Sequence, residues 1–189
     1  MTAQQTVKKI KAGWLESDIV VKVVEALGAE SLRFVGGVVR DTLLGLDIDD
    51  IDAATPHKPE RTIELLKAAG IKVIPTGLQH GTVTAVLGER HIEITTLRVD
   101  VETDGRHAEV VFTDSWLEDA KRRDFTFNAM YLTPSGAFFD PFEGMKDLKA
   151  GRVKFIGDAA ERIKEDALRI MRLFRFHAHF GKTALEPVA

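Results

Sequence analysis

Between Phe34 and Thr55 the chain reads FVGGVVRDTLLGLDIDDIDAAT, and that order of residue types leaves few ways to fold. A short apolar lead, Phe34-Val35, meets Gly36-Gly37, and a helical run from Val38 to Leu44 follows at once. After a turn at Gly45 comes an acidic element ending in Asp50-Ile51-Asp52. A glycine pair opening a helix lets backbone N–H groups approach an anion, and the helix N-terminus adds partial positive charge. Residues two apart on a strand point the same way, so Asp50 and Asp52 would present two carboxylates while Ile51 packs behind. A phosphate cradle beside paired carboxylates can hold a nucleoside triphosphate through Mg²⁺. The run DIDDID also offers Asp47 with Asp49; the second pair leads into apolar Ala53-Ala54 and better suits a strand end.

The rest of the chain sets this stretch in a mixed sheet carrying helices. Residues 3–12 and 18–27 read as amphipathic helices, the second stopped by Gly28. SLRFV reads as a strand into the cradle, and PHKPERTIELLKAAG as a helix with Pro59 in its first turn and Gly70 closing it. IKVIP, GTVTAVL and HIEITTLR read as strands, the last two an antiparallel pair around Gly88. Glu93 sits opposite the Ile92/Ile94 face, where it would supply a third carboxylate beside Asp50 and Asp52. Residues 99–113 read as a polar loop around Asp104-Gly105-Arg106-His107, long enough to be a mobile functional segment. His107 has no other histidine at ligand spacing.

Ser115 with Glu118 forms a capping box, and TPSGAFFDPFEG reads as a hairpin through Ser135-Gly136. Arg122-Arg123 runs into Asp124, Thr126 and Asn128, interleaved with Phe125 and Phe127, and charges set among aromatics are usually paired or bind something charged. DAAERIKEDALRIMRLFRFHAHF reads as one helix of about 20 residues capped by Asp158, with Ile163, Ala167, Ile170 and Phe174 as its apolar stripe. Leu168, Met171, Leu173 and Phe176 fall outside that stripe and require burial elsewhere, by another chain or a C-terminal continuation.

With 189 residues, 44% of them hydrophobic, one sizeable core is expected. No run is long and apolar enough to span a bilayer, and the polar N-terminus lacks a secretory core, so no membrane partner is expected. The absence of cysteine excludes thiolate metal sites and fits a reducing compartment, so a cytoplasmic location is expected. A net charge of −3 means that any grip on a polynucleotide is local.

Taken together, these segments resemble the class II tRNA nucleotidyltransferases, the CCA-adding enzymes and bacterial poly(A) polymerases of the polymerase-β-like superfamily. GGVVRD…DIDAAT resembles their catalytic motif, and TGLQHGTVTA and EITTLR the strands behind it. DGRHAEV resembles their flexible loop, RRDFTFNAM the sugar-reading motif, and EDALRIMRLFRF the nucleotide-selecting helix. The resemblance implies an α+β fold with a mainly antiparallel sheet: a catalytic head over residues 1–152 and the start of a helical neck over 153–189. Because members of that family continue through further helical domains that hold the tRNA, a truncated chain with impaired activity is expected.

The resemblance further implies that Asp50 and Asp52 hold two Mg²⁺ ions with Glu93 nearby. Gly36, Gly37 and Arg40 would receive the triphosphate, and Arg123, Asp124 and Asn128 the ribose and phosphates. Asp166 and Arg169, three apart on a helix with Glu165 and Arg172 nearby, would share a face. A carboxylate accepts from an amine while a guanidinium donates to a ring nitrogen, the pattern common to cytosine and adenine but reversed in uracil and guanine. CTP, ATP and a tRNA 3′ end are the implied substrates, and the neck helix offers a surface for self-association. The competing readings are a poly(A) polymerase of the same family and a non-catalytic nucleotide-binding or assembly module.

Overall fold

A computed structural model describes residues 9–103 and 107–185. Its centre is a seven-stranded sheet ordered β3-β4-β5-β2-β1-β8-β9. The strands are β1 (Arg33–Val35), β2 (Asp52–Thr55), β3 (Lys72–Gly77), β4 (Thr82–Leu87), β5 (Arg90–Thr96), β8 (Tyr131–Leu132) and β9 (Phe138–Phe139). Every pairing is antiparallel except β2 with β5, which is parallel. The chain leaves β2, runs through helix α3 (Pro59–Ala68), β3 and β4, and returns as β5 beside its starting strand.

Alternation along the central strands builds two cores. Phe34 and Ala53 face a large cluster with helix α1 (Asp18–Leu27), supplied by Ile19, Val20, Val23 and Leu27. Their neighbours Val35 and Ala54 face a smaller cluster of Leu97, Ala120, Ala129, Tyr131 and Ile156. Helix α2 (Gly37–Leu44) starts directly after β1 and buries Val38 and Val39 in the large core. Helix α4 (Trp116–Lys121) is capped as expected, the Ser115 hydroxyl accepting from the Glu118 N–H at 3.3 Å. Ser135-Gly136 turns β8 into β9, and helix α5 (Gly144–Ala150) follows.

Three expectations are corrected. Residues 9–10 belong to no helix: Lys9 bridges Ala137, and the Ile10 N–H donates to the Gly136 carbonyl at 2.9 Å. Residues 1–8 lie outside the described residues. The stretch read as a polar loop is a two-stranded ribbon, β6 (Arg98–Thr103) and β7 (His107–Phe112), with Arg98 opposite Phe112. V-D-V-E-T and H-A-E-V-V-F alternate with strand period, which outweighs their polarity. Asp104, Gly105 and Arg106, the centre of that reading, lie outside the described residues.

The last helix is two: α6 (Ala159–Glu165) and α7 (Leu168–Phe180), broken at Asp166. Asp158 caps α6, its carboxylate accepting from the Glu161 N–H at 3.0 Å. The backbone of Asp166 is extended, and its carboxylate accepts from the Leu168 N–H at 2.9 Å. Aspartate side chains compete with the helix for backbone donors in this way. The break also changes which side of α7 packs. Leu173 and Phe176 are buried, Phe176 lying edge-on to both Phe125 and Phe127, whereas Ile170 and Phe174 of the expected stripe are exposed along with Leu168 and Met171.

Candidate active site

The glycine pair behaves as a conformational device. Gly36 has φ +78° and ψ −131°, a combination closed to ordinary L-residues, and turns β1 into α2 within one residue. A Cβ placed on Gly36 would lie 3.6 Å from the Asp52 carboxylate, so the start of the helix and this acid adjoin.

Asp52 opens β2 and pairs in parallel register with Glu93 on β5. Register partners share a face, and period two puts Asp52 on the side of Ala54, towards the smaller core. Asp50 precedes the strand, which begins two residues later than the sequence suggested. The ladder still extends towards it, since the Glu93 N–H donates to the Ile51 carbonyl at 3.0 Å and Ile51 packs against the large core. The exposed Asp50 carboxylate lies 3.5 Å from His91 Nε2, each two residues before its partner in the Asp52–Glu93 pair. His91 was not singled out from the sequence; its period-two relation to Glu93 was the available signal.

Burial raises the Asp52 carboxyl above the usual range, and the charges of Glu93 and Asp50 push the same way while Arg123 and Arg40 oppose them. It is a partly desolvated carboxylate with too little positive charge around it. No group of three or more His, Asp or Glu forms a ready metal cage among the described residues. Mg²⁺ needs none, since it is held by one or two carboxylates together with substrate phosphates and water. Asp50 and Asp52 therefore fit such an ion.

The basic and polar residues form a chain of contacts across the head. Arg40 forks the Asp41 carboxylate with bonds of 2.8 and 2.7 Å and donates to Asn128 Oδ1 at 3.1 Å. Its guanidinium also lies over Phe176 and Phe180. The Asn128 amide donates to Asp124 at 3.0 Å. Asp124's other oxygen accepts from the Arg172 guanidinium at 2.7 Å, from both Nε and Nη2. Arg40, Asn128, Asp124 and Arg172 are thus brought together. Asp41, the outer anchor, had no periodic signal in the sequence.

Arg123 is held elsewhere, by Asp119 at 3.1 Å and the Tyr131 hydroxyl at 3.3 Å. Asp119 is almost fully buried. Burial alone would raise its carboxyl, but Arg123 and Arg122, with hydrogen bonds from Tyr131 and Arg122, hold it down at about 2. Burial pushes the Tyr131 phenol well above its usual value.

Asp166 and Arg169 do not form the shared helical face expected of them. Asp166 Oδ1 accepts from the Leu168 N–H, and Arg169 donates to Glu165 at 2.6 Å and to the Arg162 carbonyl at 2.9 Å. The break at Asp166 removes the one-turn spacing on which that pairing depended.

Comparison with known proteins identifies the family and the fold. Residues 32–154 match the family model described as the poly(A) polymerase head domain. The chain is 54% identical over 147 residues to human mitochondrial CCA tRNA nucleotidyltransferase 1, covering 77% of this chain and 34% of the relative. To the CCA-adding enzyme of Oceanobacillus iheyensis it is 47% identical over 155 residues, covering 81% and 38%. The crystal structure of the Bacillus stearothermophilus CCA-adding enzyme in complex with CTP superimposes with a TM-score of 0.77 at 36% identity, covering 89% of this chain and 40% of that one. The chain spans between 34% and 40% of the length of these relatives. With its motifs, sheet and family match in agreement, the chain belongs to the poly(A) polymerase head-domain family of nucleotidyltransferases.

Proposed function

We propose that this chain is the catalytic portion of an enzyme that adds CMP and AMP, from CTP and ATP, to the 3′ end of tRNA without a template. The observation that carries the reading is the pairing of Asp52 with Glu93 on adjacent strands, directly beside the Gly36 turn. The names and substrates of the similar proteins supply the reaction class.

Asp50 and Asp52 hold Mg²⁺ in this reading, two ions being the expected complement, with Glu93 as an auxiliary acid. Bound there, the cations acidify the attacking 3′-hydroxyl and neutralise the triphosphate. Backbone N–H groups at Gly36 and Gly37 receive phosphate oxygens, an arrangement helix N-termini favour. Arg40 and Arg123 add guanidinium charge, and Asp124 and Asn128 orient the ribose. Attack runs in line on the α-phosphorus, and pyrophosphate leaves.

Asp166, Arg169 and Arg172 select the base. Asp166 spends one oxygen on the Leu168 N–H and Arg172 spends Nε and Nη2 on Asp124, which leaves Asp166 Oδ2 and Arg172 Nη1 to meet the base. The boundary near residue 152 between head and neck, a cytoplasmic location, and self-association through the exposed apolar side of α7 belong to the same proposal.

The test uses the full-length enzyme, tRNA lacking its terminal CCA, and each nucleoside triphosphate in turn. Incorporation of C followed by A is expected. Incorporation of A alone, with CTP unused, would assign the chain to poly(A) synthesis instead. Mg²⁺-dependent triphosphate binding that survives intact in Asp50→Ala/Asp52→Ala would remove the metal assignment.

A further inference from the structure

Arg122 and Arg123 are consecutive, and each needs a counter-charge where they meet the smaller core. Both find it in one residue. Asp119 Oδ1 accepts from Arg122 Nε and Nη2 at 2.8 Å, while Oδ2 accepts from Arg123 Nη2 at 3.1 Å and Nε at 3.3 Å. The Tyr131 hydroxyl donates to Oδ2 at 2.7 Å, and the Arg98 N–H reaches Oδ1 at 3.4 Å. Asp119 thereby joins α4, the base of the β6–β7 ribbon, β8 and the arginine pair. It is 1% exposed, and a carboxylate so buried persists only when fully partnered.

The backbone of the pair is fixed independently. Arg162 donates to the carbonyls of Arg122 and Arg123, and Arg169 also donates to that of Arg122. Each arginine side chain keeps a narrow exposed edge, 15% for Arg122 and 18% for Arg123. The Arg123 charge is felt at Asp52, yet no salt bridge joins them among the described residues. A mobile guanidinium in that position would close on Asp52 and Glu93 and neutralise the acids meant for a cation.

We propose that Asp119, with Tyr131, is a positioning residue for nucleotide addition: it holds Arg123 at the edge of the site, where the guanidinium meets the triphosphate, and keeps it from pairing with Asp52. This rests on the reading of Arg123 as a phosphate-binding residue. Asp119 itself touches no substrate.

The test compares ATP with adenosine, both titrated by NMR against the 189-residue chain with Mg²⁺. Four proteins are set beside the wild type: Arg123→Ala, Asp119→Asn, Tyr131→Phe and Asp119→Asn/Arg123→Ala. Arg123→Ala is expected to weaken ATP about tenfold or more and leave adenosine unchanged, as removal of one charge-assisted hydrogen bond to a phosphate would do. Asp119→Asn is expected to weaken ATP about as much, and Tyr131→Phe roughly threefold, again sparing adenosine. The double variant should bind ATP no more weakly than Arg123→Ala, because Asp119 acts through that arginine.

A folded Asp119→Asn with wild-type ATP affinity, equal losses for ATP and adenosine, or additive effects in the double variant would each overturn the assignment. If Asp119→Asn fails to fold, Tyr131→Phe decides by the same criteria. If Arg123→Ala binds ATP normally, the phosphate-binding reading of Arg123 is what has failed, and the role of Asp119 fails with it.

Discussion

A carboxylate that the fold leaves short of positive charge is less stable ionised in the folded chain than in the unfolded one. Asp52 is such a group, its folded pKa raised by burial first and by Glu93 next. A raised carboxyl binds more protons in the folded state, so its contribution to stability declines as pH climbs from the ordinary carboxylate range through the raised value. Asp52→Asn should therefore raise the melting temperature at neutral pH while cutting turnover roughly a hundredfold or more, the scale of losing metal-based charge stabilisation. Calorimetry and a nucleotide-addition assay on one preparation check both halves. Asp119 has the opposite sign. Held at about 2, it contributes stability above the ordinary carboxylate range that is lost as pH falls towards 2. That contribution is roughly 2 kcal/mol, so urea titrations at pH 7 and pH 2.5 should differ by about this much more in wild type than in Asp119→Asn.

At the scale of elements, the turn at Gly36 is the tightest requirement. Alanine there should cost about 1–3 kcal/mol through its backbone conformation, while its Cβ would make only ordinary van der Waals contact with Asp52, so activity is expected to fall further than stability accounts for only if the start of α2 shifts away from the acid. Chemical denaturation beside steady-state kinetics separates the two effects. This element was legible in the sequence because the apolar lead, the glycine pair and the helical run follow one another directly. The Ser115 and Asp158 caps and the turns at Gly88 and Ser135-Gly136 were legible for the same kind of local reason. The break at Asp166 was not. Its residues keep helical periodicity on both sides, and only the competition between an aspartate side chain and the backbone interrupts them. The β6–β7 ribbon was hidden by its charged composition, although its alternation was present. Asp119 stands three and four residues before Arg122 and Arg123, spacing that could have flagged it, but burial is a tertiary fact.

At the scale of the whole molecule, α7 has two distinct sides. One is anchored through Phe176, and through Arg172 on Asp124; the other exposes Leu168, Ile170, Met171 and Phe174. Exposed apolar groups along one helix favour association. The 189-residue chain is expected to self-associate at micromolar concentration in analytical ultracentrifugation, and Met171→Lys/Phe174→Lys to sediment as a monomer. Equal behaviour of the two would show that this surface does not mediate association between copies.

The one parallel pairing in the seven-stranded sheet bears on how the head assembles. Asp52 and Glu93 meet only after an entire crossover of helix and strands has been laid down between them. No hairpin can bring those acids side by side, because α3, β3 and β4 lie between their strands in the chain. The contact is non-local, so the pairing of β2 with β5 is expected to form later in folding than the hairpins beside it, and no short segment of the head can assemble the acid pair alone.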